Sequence, residues 1–339
     1  MAICHIAVLN FNQPNANYDM ATVKIKFLPS SGGGKLKYTQ EESAIMFFYF
    51  MEEVIAGLRV IGKIRTAETY AATLNSFKRF RNNIDLPLDH FDSQVVLAYE
   101  AYLKSCGISL NSSSFYMRNL RAMYNRAVET GCTQQRFPFK HVYTGVDKTL
   151  KRALSLRMLK KIKEFDSNGN LSLDFARDIF MFSFYTRGMS FIDIAYLRKK
   201  DLNADVLTYR RRKTGQQLYI KWEKCMQDIV DKYSDPDSPY LLSVIDPESD
   251  VPHRRQYLYG SHNVNRSLKI IGRKLGIKAP LTMYVSRHSW ASIAKSKNIP
   301  LSVISEGMGH ESENTTRIYL ATLDTDTIDK ANSLILKLI

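Results

Sequence analysis

Apolar side chains recur every three to four residues along the segment TAETYAATLNSFKRFRNNI. At the period of an α-helix, Tyr70, Leu74 and Phe77 lie on one face, which predicts a helix with that face buried. The end of the same segment is basic. The pattern across residues 43–147 predicts a small bundle of helices.

A second helix is predicted in the segment SFYMRNLRAMYNRAVETG. Leu120, Tyr124 and Ala127 share its apolar face. Gly131 stands where a helix commonly ends, because glycine adopts the left-handed backbone of that position without a steric penalty. We expect this helix to stop there.

The chain before residue 43 has a different pattern. TVKIKFL is typical of a short β-strand, and the SSGGG run at 30–34 is typical of a flexible connection. Residues 1–42 are therefore predicted to be a short N-terminal segment rather than a domain. The pattern is compatible with a true start at either Met1 or Met20.

Apolar periodicity lapses in PFKHVYTGVDKTLKRA and resumes at LSLRMLKKIKEF, which places a domain boundary near residue 148. Residues 148–339 are helical in pattern, apart from VLTYRRRKTGQQLYIKW. Two strand-like runs there flank Thr214 and Gly215, so a β-hairpin with Lys213 at its tip is predicted. The chain closes with a predicted amphipathic helix, DTIDKANSLILKLI. The expected fold class is mainly α with a small β-sheet.

The charge of the chain indicates a polyanionic partner. Lys and Arg number 48 against 33 Asp and Glu, a formal net charge of +15 in 339 residues. The basic residues are spread through foldable segments, which favours a broad groove for nucleic acid. A solvated basic surface is the alternative. The basic faces of the two predicted helices supply four candidate DNA contacts: Arg79, Arg81, Arg118 and Arg121.

Several classes of protein do not fit the sequence. The four cysteines form no CxxC pair and no short-spaced cluster with histidine, so neither a metal site nor a disulfide framework is predicted. No stretch reaches the roughly 18 consecutive apolar residues of a membrane span. The first residues also lack the pattern of a signal peptide. We expect a cytoplasmic protein.

Five short motifs stand in order in the second half of the chain. The residues that define them are Arg187 in SFYTRGMSFIDIAYL, Lys213 in the hairpin, Arg287-His288, Gly309-His310 and Tyr319. In this order the chain resembles the tyrosine recombinase (phage integrase) family over about residues 43–339. It is most similar to integrases and invertases of the Bacteroides type, in which FYxRGMSFxDxAYL and ISEGMGHxSExTTxIYL are characteristic.

The chemistry of DNA strand cleavage suits these residue types. A tyrosine can attack phosphorus and later leave again, so a 3′-phosphotyrosine bond conserves the energy for rejoining. Tyr319 is the predicted nucleophile, and a buried structural tyrosine is the alternative in a chain with 19 tyrosines. Arg287 presents paired donors that match two phosphate oxygens better than a lysine would. His288, its neighbour, is expected to support DNA binding.

The spacing of His310 and Tyr319 predicts a break between them. Nine residues of unbroken helix would rise about 13 Å and put the two side chains on opposite faces. HESENTT supplies the break, with Asn314 as the expected cap of a short helix that carries Tyr319. His310 would then reach the phosphate that Tyr319 attacks.

Lys213 is the candidate general acid for the 5′ oxygen, and a solvated turn lysine is the alternative. Arg211 and Arg212 beside it are candidate phosphate contacts. Tyr284 stands where the family often has histidine or lysine and is a further candidate catalytic residue. The base that accepts the proton of the nucleophile is left open among Tyr284, His310 and water.

Ser190 occupies a position where most of the family has an arginine. Ser190 and Asp193 instead predict an N-terminal cap for the helix that ends at Leu197. We expect Arg187, which precedes a glycine, to replace the missing cation. An arginine paired with a surface carboxylate is the alternative.

The resemblance implies a tyrosine recombinase catalytic fold preceded by a helical, SAM-like core-binding domain, with no cofactor and no metal. It implies double-stranded DNA with an inverted-repeat core site, four protomers around two duplexes, an accessory host protein that bends DNA, and a place at the bacterial nucleoid. Two alternatives stay open. One is a recombinase-derived DNA-binding regulator with impaired catalysis, suggested by Ser190 and Tyr284; the other is a relaxing enzyme of the type IB topoisomerase kind.

Overall fold

The computed structural model describes residues 44–147 and 153–320, together with Leu336, but not the side chains of residues 318 and 319. The predicted strand at 22–28 lies outside the described residues. The same holds for the predicted terminal helix at 326–339, apart from Leu336. The chain divides into two compact units, Met1–Lys148 and Thr149–Ile339.

The described part of the first unit is a bundle of helices, as the periodicity predicts. The helices are α1 Phe47–Val60, α2 Ile64–Phe80, α3 Ser93–Ser105 and α4 Leu110–Glu129, with a 3-10 turn at Leu88–His90. They enclose one apolar core, in which Phe47, Phe77 and Tyr99 are completely shielded from solvent.

The predicted inward faces of α2 and α4 are confirmed. The side chains that pack into the core are Tyr70, Leu74 and Phe77 of α2 and Leu120, Tyr124 and Ala127 of α4. Gly131 ends α4 with a φ of 73°, and the next amide, that of Cys132, donates to the carbonyl of Ala127 (2.8 Å). The helix therefore stops where the glycine predicts.

The structure corrects the start of the predicted linker. Phe139 and Val142 are buried in the core of the first unit. One pair of apolar side chains three residues apart is too short a pattern to predict an element, so periodicity alone did not distinguish them from a connection. The fold of the first unit therefore continues into this segment as far as Asp147, which is hydrogen-bonded to Asn111 of α4.

The described part of the second unit combines helices with one small sheet. The helices are α5 Leu156–Lys163, α6 Leu171–Tyr185, α7 Phe191–Ala195, α8 Lys224–Tyr233, α9 His253–Lys274, α10 Met283–Ser296, α11 Leu301–Gly307 and α12 Glu313–Leu320, with a 3-10 turn at Lys199–Asp201. Helix α6 is central and packs against α8, α9 and α10. No helix in the described part of the chain has both the length and the apolarity needed to cross a membrane.

The sheet is antiparallel and contains three short strands, β1 Leu202–Asn203, β2 Val206–Arg210 and β3 Gln217–Lys221, in that order. Leu207 pairs with Ile220 on the buried face, and Thr208 pairs with Tyr219 on the opposite face. Strands β2 and β3 form the predicted hairpin. Its loop, residues 211–216, contains Lys213 and is called the hairpin loop below.

Candidate active site

Helix α6 ends in a strained turn at Arg187. The amide of Arg187 donates to Phe184 (3.2 Å) and the amide of Gly188 donates to Ser183 (2.7 Å), the paired bonds of a Schellman motif. Arg187 has a φ of 60°, a left-handed conformation that costs a residue with a Cβ atom about 1–2 kcal/mol. Glycine is usual at this position, so the arginine is present against local preference.

Gly188 brings this turn against Arg287 of α10. A Cβ atom on Gly188 would lie 2.7 Å from the Cα of Arg287, closer than two such atoms can approach. The carbonyl of Gly188 accepts a hydrogen bond from Nη1 of Arg287 (2.8 Å). Glycine permits this close approach, and the hydrogen bond holds the Arg187 turn next to Arg287.

Arg187 also lies near the end of α11. Its Cδ atom is 3.7 Å from the position that a Cβ atom on Gly307 would occupy. None of the ion pairs among the described residues involves Arg187. The surface ion pair considered as its alternative role is therefore absent from that part of the chain.

Arg287 is buried, with 6% of its surface exposed. Its Nη2 atom donates to the carbonyl of Met308 (2.6 Å) and lies 3.0 Å from Nε2 of His310. A buried guanidinium is stable only when its donors have partners. Here the partners come from two separate helix ends, which fix the orientation of the guanidinium.

The turn after α11 sets the position of His310. Gly309 has a φ of 63°. Its amide donates to Glu306 (2.9 Å), and the amide of His310 donates to Ser305 (3.0 Å), which makes a second Schellman motif. The Gly-His pair of the sequence thus has a structural reason: the glycine ends the helix and the histidine is the first side chain after it.

The hydrogen bonds of His310 assign its proton. A guanidinium has donors and no acceptor, so Nε2 of His310 must accept from Arg287. Nδ1 then carries the proton and donates to Oγ1 of Thr316 (2.6 Å). His310 is therefore neutral, with its Nε2 lone pair turned towards Arg287.

The electrostatics agree with a neutral histidine. Burial, together with the charges of Arg287, Arg211 and Lys213, lowers the pKa of His310 from 6.5 to about 4. These three neighbours are all cations. The arrangement therefore favours an anion, such as a phosphodiester, beside His310.

The hairpin loop packs against the His310 turn. Arg211 donates through Nη1 to the carbonyl of Gly309, and Nε2 of Gln216 donates to the carbonyl of His310 (3.1 Å). The sequence predicts a phosphate contact at Arg211; in the structure this side chain is 7% exposed and its Nη1 atom braces the backbone of the His310 turn. Lys213, between the two bracing residues, is exposed.

The start of α7 differs from the predicted cap. Oγ of Ser190 donates to the carboxylate of Asp193 (2.6 Å) and makes no hydrogen bond to a backbone amide of the helix. The other carboxylate oxygen accepts from the amide of Arg212 (2.9 Å). Asp193 is 3% exposed, so it links the start of α7 to the hairpin loop. The helix ends at Ala195, before the expected Leu197.

Two further candidates lie on α10 beside Arg287. The rings of Tyr284 and His288 meet edge to face with their centroids 4.3 Å apart. Tyr284 is 59% exposed, whereas His288 is 6% exposed. His288 packs against the ring of Tyr284, and its support of DNA binding stays a prediction. Arg212 is exposed, and its guanidinium lies 4.0 Å from the ring centroid of Tyr196.

Tyr319 lies on α12, where the backbone is described and the side chain is not. Helix α11 ends at Gly307 and α12 begins at Glu313, so the predicted break between His310 and Tyr319 is confirmed. The contacts of the Tyr319 hydroxyl lie outside the described residues.

The cap of α12 is different from the predicted one. The sequence favours Asn314, but Asn314 lies inside the helix. The amide of Thr315 donates to Oγ of Ser312 (3.4 Å) and to its carbonyl (3.1 Å). Ser312, just before the first helical residue, therefore takes the capping position.

The four arginines predicted on helix faces belong to the first unit. Arg79 is exposed, and Arg118 is half-buried. Nη1 of Arg121 donates to the hydroxyl of Thr144 (3.1 Å). Nε of Arg81 is buried and has no hydrogen-bond partner among the described residues. Arg79 is thus the most accessible of the four.

The sequence did not indicate two residues that contact His310. Gln216 braces the His310 carbonyl, and Thr316 accepts the Nδ1 proton of His310. Glutamine and threonine are common on protein surfaces, and neither has a spacing that marks it as part of a site. Only the contact between distant segments reveals their positions.

Two family models match the chain. The model of the phage integrase SAM-like domain covers residues 46–142, and the model of the phage integrase family covers residues 156–325. The second match alone spans half of the chain.

Curated relatives are similar over most of the chain. Tyrosine recombinase XerA from Pyrococcus furiosus is 27% identical over 230 residues, which is 66% of this chain and 74% of the relative. Tyrosine recombinase XerC from Leptospira interrogans is 21% identical over 259 residues, 76% of this chain and 82% of the relative.

Solved structures show the same fold. A lambda integrase dimer bound to a COC′ core site has a TM-score of 0.63 at 15% identity and covers 84% of this chain and 79% of that chain. The Tn1549 transposon integrase in complex with a circular intermediate DNA has a TM-score of 0.63 at 15% identity, covering 87% of this chain and 100% of that chain. With both family models matched in order, the chain belongs to the phage integrase family, the tyrosine recombinases.

Proposed function

We propose that this protein is a site-specific DNA recombinase that cuts and rejoins strands through a 3′-phosphotyrosine intermediate. The observation that best supports this function is the cluster of Arg287, His310 and the hairpin loop, because three distant segments bring cations around one small volume. The relatives named tyrosine recombinases support the same function.

The proposed nucleophile is the Tyr319 hydroxyl. As its oxygen bonds to phosphorus, the bond from phosphorus to the 5′ oxygen breaks, and Lys213 gives that oxygen a proton. The proton of Tyr319 passes to His310, Tyr284 or water. Attack by a 5′ hydroxyl on the phosphotyrosine reverses each of these transfers, so no external energy source is required.

Two arginines carry the proposed charge stabilisation. Arg287 is already held by carbonyls, so its donors need little reorganisation when charge develops on the phosphate. Arg187 is held close to Arg287 by the Gly188 contact and supplies the second guanidinium. In this scheme Arg187 takes the part of the arginine that is missing at Ser190.

The proposed partner is double-stranded DNA with an inverted-repeat core site. We assign DNA binding to residues 43–147, with Arg79, Arg81, Arg118 and Arg121 as candidate phosphate contacts, and catalysis to residues 148–339, with Arg212 and Lys213 facing DNA. Lambda integrase has been solved as a tetramer bound to a Holliday junction, which supports a homotetramer on DNA for this chain. An accessory host protein that bends DNA and a location at the nucleoid complete the proposal.

A nicked suicide substrate tests the function. The substrate is a duplex built from inverted repeats that flank the gene, with a nick that lets the 5′ fragment diffuse away after attack. We expect a covalent protein–DNA adduct in the native protein and none in Tyr319→Phe. Salt-sensitive DNA binding without any adduct would indicate the alternative of a recombinase-derived DNA-binding regulator. Relaxation of a plasmid that lacks the repeats would indicate the topoisomerase-like alternative.

A further inference from the structure

The first unit presents a large aromatic ring to solvent within a basic groove. Phe137 is 68% exposed. It lines an open groove of about 450 Å³ together with Arg121, Asn125, Gln135 and Lys140. Exposure of a whole phenylalanine ring is unfavourable in water, so a surface that displays one is a candidate contact surface.

The backbone at Phe137 is strained. Its φ is 51°, and a bulky residue rarely adopts this left-handed conformation. Two bonds hold it there: its amide donates to Oε1 of Gln135 (2.9 Å), and its carbonyl accepts from the amide of Lys140 (3.1 Å). Strain of this kind persists only where the surrounding structure imposes it.

The flanking residues anchor the turn to the core of the first unit. The hydroxyl of Tyr124 donates to the carbonyl of Gln134 (2.7 Å) and accepts from the amide of Arg136 (3.2 Å). Phe139, two residues after Phe137, is buried, and its ring centroid is 6.4 Å from that of Tyr124. The exposed ring is therefore carried by a fixed turn, and little conformational entropy is lost when it binds a partner.

The charges of the groove indicate which partner fits. Its lining has two cations, Arg121 and Lys140, and two side-chain amides, with no carboxylate among the described lining residues. The surroundings of Tyr49 on α1 differ, because this aromatic is 56% exposed next to Glu53 and to Glu52, which is ion-paired with Lys78. A polyanion fits the first surface better than the second.

We propose that Phe137 is a DNA-contacting residue of this recombinase, whose ring packs against a sugar or base edge while Arg121 and Lys140 bind the neighbouring phosphates. The inference rests on the DNA-binding function proposed for the first unit. It assigns the groove to duplex DNA and not to a second copy of the chain.

The test measures the affinity of the full chain for a labelled duplex across a salt series. The probes are a duplex of arbitrary sequence and a duplex that carries the flanking repeats. We expect Phe137→Ala to weaken binding about tenfold, within the range of one aromatic contact to a nucleotide, with an unchanged slope of log affinity against log salt. Lys140→Ala should reduce that slope by about 1.

Two variants separate contact from folding. Tyr49→Ala removes another exposed aromatic, one that lies outside the basic groove, and should leave binding unchanged. Phe137→Gly removes the ring and relieves the backbone strain, so it should lose the same affinity as Phe137→Ala without a lower melting temperature. Native affinity in both Phe137 variants would overturn the inference.

A further outcome would assign the surface differently. If Phe137→Ala binds single sites normally but fails to assemble protomers on DNA, the ring contacts another copy of the chain and the inference is wrong. The suicide-substrate adduct keeps the two proposals distinguishable. Adduct formation with unchanged binding by Phe137→Ala contradicts only this inference, whereas the absence of an adduct in the native protein contradicts the proposed function.

Discussion

At the residue scale, Arg187 occupies a left-handed backbone position that glycine would adopt with less strain. An arginine at such a position destabilises the turn, and the proposed catalytic use of the guanidinium gives a reason for its presence there. The placement of Arg187 beside the Arg287 contact is consistent with the role proposed for it.

Replacement of Arg187 by glycine should separate stability from catalysis. We expect Arg187→Gly to keep the free energy of unfolding or raise it by up to about 1 kcal/mol, because the strain is relieved. Formation of the covalent adduct should fall by about 100-fold or more, because a charge-stabilising donor is lost. Denaturant unfolding and suicide-substrate kinetics measure the two effects. If Arg187→Gly forms the adduct at the native rate, Arg187 has a structural role and no catalytic role.

His310 should make the stability of the protein depend on pH below neutrality. Its pKa is about 4 in the folded protein, lowered from 6.5 by burial and by neighbouring cations. Between these two values the unfolded chain binds more protons than the folded one. The free energy of unfolding should therefore fall as the pH is lowered from about 6.5 to about 4, and this group should cause no change above that window.

Urea unfolding at several pH values checks this expectation. His310→Asn should remove part of the fall in stability at acid pH. His262→Gln, which changes an exposed histidine of α9, is the matched control and should leave the fall in place. The same pH dependence in His310→Asn and the native protein would contradict the assignment.

At the element scale, Gly188 and Gly215 form a natural pair for comparison. Both have a positive φ, 78° and 73°. A Cβ atom on Gly188 would collide with Arg287, whereas nothing lies within 4 Å of one on Gly215. Gly215→Ala should therefore cost about 1 kcal/mol from the backbone alone.

Gly188→Ala should cost about 1–3 kcal/mol more than Gly215→Ala, because overpacking is added to the backbone term. It should also abolish most adduct formation, since the turn can no longer contact Arg287. Thermal unfolding of both variants gives the difference. Equal destabilisation would mean that the Gly188 contact does not hold the turn in place.

The hairpin loop gives a second matched pair. Arg211→Ala removes the shorter of two hydrogen bonds that the buried carbonyl of Gly309 accepts, the other coming from Oγ1 of Thr214 (3.4 Å), and we expect a loss of about 1–3 kcal/mol. Arg210 is exposed and donates to the carbonyl of Gly215 (2.7 Å), so Arg210→Ala should change stability by less than about 0.5 kcal/mol. A smaller slope of log affinity against log salt for DNA binding, without a loss of stability in Arg211→Ala, would support a phosphate contact in place of the bracing role.

The elements show what sequence patterns can and cannot predict. The spacing of apolar residues predicted the buried faces of α2 and α4. The residue types that favour turns predicted the hairpin and the break before α12. The cap at Ser312 was missed because Asn314 is an equally good capping type in the same short run. The burial of Arg211 was missed because residue type predicts exposure, and only the docking of the hairpin loop on Gly309 overrides it.

At the scale of the whole molecule, each unit has its own apolar core. A fragment of residues 44–147 should therefore fold alone and unfold cooperatively. Phe77 is completely buried in the core of this fragment. Phe77→Ala should cost about 3–5 kcal/mol and remove most of the stability of a small domain.

Circular dichroism of the fragment during heating measures this prediction. Ile84→Ala, at a side chain that is 64% exposed, is the control and should melt with the native fragment. A native fragment that shows helical content but no cooperative transition would mean that the first unit depends on the rest of the chain.

The sequence predicted the fold and the family of the whole molecule, but not the contacts that position Arg287. Family motifs in order predicted the fold and the recombinase family, and the family models confirm the family. The network of carbonyls around Arg287 was not predictable, because backbone groups carry no residue identity. Gly188 and Met308 contribute through their position in the fold and not through their side chains.

The two backbone carbonyls that bind Arg287, those of Gly188 and Met308, affect when the site can form during synthesis. One of these partners lies 99 residues before the arginine and another lies 21 residues after it. A nascent chain still leaving the ribosome lacks the later partner, and a misfolded chain lacks both. The proposed active centre is therefore incomplete until residue 308 has been synthesised and the second unit has folded, which delays any cleavage of DNA by a partly made chain.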